Sequence, residues 1–131
     1  MNDLLAALFS WAVTLSGYPM PDQAPLLIEV NHQWLVDNAC NGYECKVMGW
    51  FPPGNAIYID ERLDPENKML HASIIVHEYV HYLQHVYAST EFTNCENAIR
   101  LERQAYYVQQ EFLVRNGIYQ PVGASMHKVG C

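Results

Sequence analysis

The sequence predicts a single α+β domain over residues 1–131, built from an N-terminal helix, a short, mostly antiparallel sheet and two long helices. Three observations carry this. Half of the 131 residues are hydrophobic and 16% are charged, which describes a globular chain with enough apolar surface for one core. Two β-type runs, "CKVMGWF" and "AIYID", flank the Pro/Gly turn "PPGN". Two long stretches after residue 63 place apolar residues at helical spacing.

The elements follow in order. "LLAALFSWAVTL" is apolar, but at about 12 residues it is too short to span a membrane. No positive charge precedes it and no A-x-A site follows, so residues 3–16 are expected to be a helix of the folded domain. Asp3 can cap its start and Gly17 can end it. "LLIEV", residues 26–30, reads as a buried strand, and Asn31 can cap a short helix through "HQWLVDNA". The hairpin comes next. The first long helix is expected to start at Asp64 as N-cap, with Pro65 at the first helical position, and to run to about Tyr87. Thr93 and Glu96 have capping-box spacing for the second, which stops at Asn116-Gly117. The tail to Cys131 shows no clear element, and no repeat or composition break divides the chain.

Charge and cysteines narrow the function classes. Fourteen acids against seven Lys and Arg give a net charge of −7, which disfavours nucleic acid and anionic membrane surfaces as partners. Cys40, Cys45, Cys95 and Cys131 allow three pairings. A bond between Cys40 and Cys45 would close a small loop around Gly42, and one between Cys95 and Cys131 would tether the tail. No cysteine spacing suggests a structural zinc site, so oxidised pairs and an extracytoplasmic location, periplasmic or secreted, are expected.

The chemistry concentrates in "HEYVH", residues 77–81. On a helix, His77 and His81 leave the same side one turn apart, close enough for both imidazoles to bind one zinc ion. Glu78 then sits beside the metal, where it can hold a water and take its proton. With 6 His and 9 Glu in the chain, chance would supply about 0.02 such motifs, so the match is informative. Ile75, Val76, Tyr79, Val80, Leu83 and Val86 share the apolar side, while His77, Glu78, His81 and His85 gather on the other. His85 lies a turn too far and is expected at the rim, and His71 is expected to be an ordinary surface histidine. A catalytic zinc usually has a third protein ligand. In "NAIRLERQAYYVQQEFL" the apolar stripe is Ala98, Leu101, Ala105, Val108 and Phe112, and Glu102 projects within it. An inward carboxylate is costly unless paired or metal-bound, which makes Glu102 the candidate. Glu96 and Glu111 point further away.

His77-Glu78-Tyr79-Val80-His81 followed on the next helix by Glu102-Arg103-Gln104-Ala105 resembles the gluzincin metallopeptidases, and the layout over residues 1–116 is similar to their small single-domain members, the minigluzincins. The resemblance implies a zincin-like fold, one zinc ion per chain held by His77, His81 and Glu102, and Glu78 as general base for peptide hydrolysis. It also implies a peptide or protein substrate bound in extended form along an edge strand, expected at residues 56–60. Many gluzincins carry a carboxylate where this chain has Tyr106. The Tyr106 hydroxyl could bond a ligand histidine or the substrate carbonyl, or the ring could simply pack. Tyr119 and His127 are oxyanion-donor candidates by residue type alone. The alternative to a peptidase is a zinc-bound regulatory or binding module with little proteolysis. The retained Glu78, which such a module does not need, favours the enzyme.

Overall fold

The computed structural model of the chain describes residues 2–88 and 94–131. It is α+β, with helices α1 (Asn2–Ser16), α2 (His32–Ala39), α3 (Met69–Ala88) and α4 (Cys95–Arg115) and strands β1 (Leu26–Val30), β2 (Gly49–Trp50) and β3 (Ala56–Asp60). Gly17 ends α1 in the left-handed conformation, at φ 81°, and its amide donates to the Val13 carbonyl. Phe9 of α1 meets Tyr79 edge-on at 5.0 Å, and Trp11 meets Phe112 at 5.6 Å, so α1 lies across both long helices.

The sheet is mixed, in the order β1-β3-β2. The hairpin pairing is present: Gly49 lies opposite Ile59 and Trp50 opposite Tyr58, antiparallel. The longer pairing is parallel, with Leu26–Val30 alongside Ala56–Asp60, so the sheet is not mostly antiparallel as expected. Residues 31–55 explain this, because α2 lies within them and supplies the crossover that parallel strands need. The order also corrects the expected edge: residues 56–60 form the central strand, and the free edge on the α3 side belongs to β2. Ile57 and Ile59 are buried against the helices, whereas Trp34, Trp50 and Tyr58 cluster on the opposite face. Asp60 is fully buried. The Arg62 hydrogen bonds keep its pKa lowered despite burial.

Two helix starts differ from expectation. Helix α3 begins at Met69, because Asp64 heads a separate turn. The Asp64 carboxylate accepts from the Asn67 side chain, its carbonyl accepts from the Lys68 amide, and its own amide donates to Nδ1 of His71 at 2.8 Å. His71 is therefore tied into this turn and is not an ordinary surface group. The N-cap of α4 is Asn94, whose side chain accepts from the Asn97 amide. Thr93, the expected capping partner of Glu96, lies outside the described residues. Val86, expected in the apolar face of α3, is exposed, as is Ala98 of α4.

Both disulfides form, Cys40–Cys45 and Cys95–Cys131. The tail returns along α4, where Gln110 bonds Gln120 and Val122, Arg103 bonds the Met126 carbonyl, and a short 3₁₀ helix spans Ala124–Lys128. Opening the 36-residue separation between Cys95 and Cys131 by serine substitution is expected to lower stability by roughly 3–4 kcal/mol in denaturant titrations. Opening the Cys40–Cys45 loop should cost less, since it closes five residues. Equal costs would show that loop-closure entropy of the unfolded chain does not set the difference.

Candidate metal centre

Helix α3 presents His77 and His81 one turn apart, and α4 packs against it with Glu102 opposite both. The Glu102 carboxylate lies 2.6 Å from Nε2 of His77 and 3.1 Å from Nε2 of His81, and the two Nε2 atoms are 3.2 Å apart. For comparison, four ligands around zinc at 2.0–2.1 Å would stand about 3.3 Å from each other. The three groups together could hold a metal ion.

Electrostatics bind the three groups together. Burial alone would lower the pKa of His81, but the Glu102 hydrogen bond and the charges of Glu78 and Glu102 outweigh it and raise the pKa to about 9. Burial would raise that of Glu102, yet its hydrogen bonds to His77 and His81 hold it far below the usual carboxylate range. The carboxylate is therefore charged across the neutral range.

The outer nitrogens of both rings are also engaged. Nδ1 of His77 lies 3.0 Å from Oε1 of Gln109, and Nδ1 of His81 lies 2.8 Å from Oε1 of Gln84. Gln84 is fully buried and Gln109 nearly so. Sequence reasoning missed both. The available signal was a glutamine at a core position: Gln109 falls beside Val108 and Phe112 of the apolar stripe, where an unpaired amide would be costly.

Comparison with family models, curated proteins and solved structures gives no match. A cleft of about 560 Å³ opens over the three groups, walled on one side by residues 46–51 and on the other by α3 and α4. Glu78 is buried at its floor, next to His77. Strand β2 reaches it because position 49 is glycine: a β-carbon there would stand 2.9 Å from Cγ of Glu78 and 3.3 Å from its carboxyl carbon. Gly49→Ala is accordingly expected to lower stability by roughly 1–3 kcal/mol through overpacking, read in denaturant titrations. An unchanged midpoint would mean that the strand and Glu78 separate freely.

Tyr106 lines the cleft, but its ring rather than its hydroxyl meets His77, packing edge-on at 4.5 Å. Among the described residues no hydrogen bond from its hydroxyl is seen, and burial, with the nearby Glu102 and Glu78 charges, raises its pKa. Gly123, at φ 69°, lays the tail on that ring, where a β-carbon would meet Tyr106 Cγ at 2.5 Å. His85 stands outside the cluster, against Phe51 at 5.6 Å. Glu96 is exposed in the first turn of α4. Tyr119 is 77% exposed and does not line the cleft, and the side chain of His127 lies outside the described residues.

Proposed function

We propose that this chain is a zinc-dependent peptidase of the gluzincin type, with His77, His81 and Glu102 as ligands and Glu78 as general base. The observation that carries this reading is the convergence of two imidazole Nε2 atoms and one carboxylate on a single point at the floor of a cleft, with a second carboxylate beside them. The donor set suits zinc, since imidazole nitrogen and carboxylate oxygen are common zinc ligands and three protein ligands leave one position open. A bound zinc ion would supply Lewis acidity toward the scissile carbonyl and the attacking water. Glu78 would take the proton from that water and deliver it to the leaving amine nitrogen. Glu78 lines the same cleft as the three candidate ligands, next in sequence to His77.

The substrate would be a peptide in extended form. The free edge of β2, with the segment 46–51, forms one wall of the cleft and can pair with such a backbone. The walls add Val47, Met48, Phe51, Ile74 and Leu101, which suits apolar side chains on either side of the cleaved bond. No helix among the described residues is long and apolar enough to cross a membrane. Two disulfides favour an oxidising compartment, so an extracytoplasmic place of action goes with the reading.

Metal analysis of the purified protein, paired with digestion of a proteome-derived peptide library, tests this. About one zinc per chain and chelator-sensitive cleavage are expected. Zinc without cleavage would leave a binding module, and a protein that binds no zinc would sink the site.

A further inference from the structure

Both glutamines that face the histidines have their amide orientation dictated by what lies behind them. The Nε2 group of Gln84 donates to the Leu101 carbonyl at 2.8 Å and to Oε1 of Gln104 at 2.9 Å. Two acceptors there leave only the oxygen of Gln84 to face His81. Gln104 is itself held, since Oε1 also accepts from the Tyr18 hydroxyl at 3.1 Å. For Gln109 the Nε2 group donates to Oγ of Ser73 at 3.0 Å, and the Ser73 hydroxyl donates onward to the Leu70 carbonyl at 2.6 Å. The Ser73 proton is spent, so Ser73 accepts from Gln109, and the Gln109 oxygen faces His77.

An amide oxygen only accepts, so each Nδ1 must carry the proton. With Nδ1 so protonated, the neutral ring has its lone pair on Nε2, on the side where the three groups converge. The proton that Nε2 shares with the Glu102 carboxylate in the metal-free site is the one a metal ion would displace. We propose that Gln84 and Gln109 are the positioning residues of the centre: from two separate buried hydrogen-bond chains they fix the tautomer and ring orientation that turn both histidines into Nε2 ligands. This rests on the reading of His77, His81 and Glu102 as metal ligands. It adds a role for two uncharged side chains that stand outside the three converging groups.

The two chains differ in a way that gives an asymmetric test. Behind Gln109 stands a hydroxyl, and a charged carboxylate at position 109 would draw its proton away from the Leu70 carbonyl, a charge-assisted bond replacing a neutral one. Behind Gln84 stand two oxygens that cannot donate, so a carboxylate at position 84 would face repulsion. The experiment titrates chelator-stripped full-length protein with zinc against a competing chromophoric chelator, for the wild type and for Gln84→Met, Gln84→Glu, Gln109→Met and Gln109→Glu. The melting temperature of each stripped protein serves as the folding control.

Both Met variants are expected to lose about 10–100-fold in zinc affinity, the usual cost of removing such a partner. Gln109→Glu should recover wild-type affinity or better, while Gln84→Glu should not. Nitrogen-15 spectra of the zinc-loaded wild type should show Nδ1–H signals for both rings, and each Met variant should lose the one it faces. Met variants that bind zinc like the wild type, or Gln109→Glu as weak as Gln109→Met, overturn the proposal. A drop in melting temperature with unchanged affinity would reduce the glutamines to core packing. A wild type that binds no zinc defeats the metal-site reading itself, which the variants alone cannot do.

Discussion

Glu78→Gln is expected to leave zinc bound and to reduce peptide cleavage by a factor of about 10²–10⁴, the usual contribution of a general base. The substitution is nearly isosteric, which matters at this position. Glu78 is 7% exposed, and Gly49 of the edge strand packs directly against its side chain. Glutamine keeps that contact, so the cleft wall and the strand edge stay where they are. What it loses is the ability to accept a proton. The three candidate ligands are unaffected, because Glu78 is not among the groups that converge with His77, His81 and Glu102. Zinc content by elemental analysis and cleavage of a defined peptide, measured on the same preparation, separate the two roles. Unchanged cleavage would exclude Glu78 as the base. Loss of zinc together with cleavage would make it a ligand or a structural support.

The elements that build the centre were legible because their signals are local. The pair His77 and His81 announces itself through helical spacing, and Glu102 through a carboxylate placed inside an apolar stripe. Both depend only on the 3.6-residue repeat. The orientation of β3 was not legible in the same way. The alternation in "AIYID" says that Ile57 and Ile59 face a core, but it does not say which strands flank them. That depended on the crossover through α2, which placed β1 beside β3 and left β2 at the edge. The helix start was misplaced because Asp64-Pro65 serves equally well to open a turn or a helix. What chose the turn was His71, seven residues on, accepting the Asp64 amide. Gln84 and Gln109 stayed hidden for a related reason. A glutamine in a long helix usually faces solvent, and only the approach of α4 to α3 supplies the acceptors that let these two be buried.

Glu102→Ala is expected to weaken zinc binding by more than about 100-fold, beyond the 10–100-fold typical of an outer hydrogen-bond partner. Glu96→Ala on the same helix should change it little. The two glutamates share a helix and a charge, so the comparison isolates position. Glu96 is exposed in the first turn, whereas Glu102 touches both histidines. A competing explanation would be that removing Glu102 alters protonation and not coordination, but that effect has the opposite sign. The Glu102 hydrogen bond and charge help to hold the His81 pKa up at about 9. Without them, burial favours the neutral ring, and a neutral ring is the form that binds metal. Protons would then compete less well for His81 in the variant than in the wild type. Any loss of affinity near neutral pH would therefore measure the missing carboxylate donor itself. Competition titrations at two pH values, near 7 and near 9.5, check this. The deficit of Glu102→Ala should be at least as large at the higher pH, where protons compete less for the wild-type histidine as well. Equal affinities for Glu102→Ala and Glu96→Ala at both values would remove Glu102 from the centre and leave the two histidines without a third ligand.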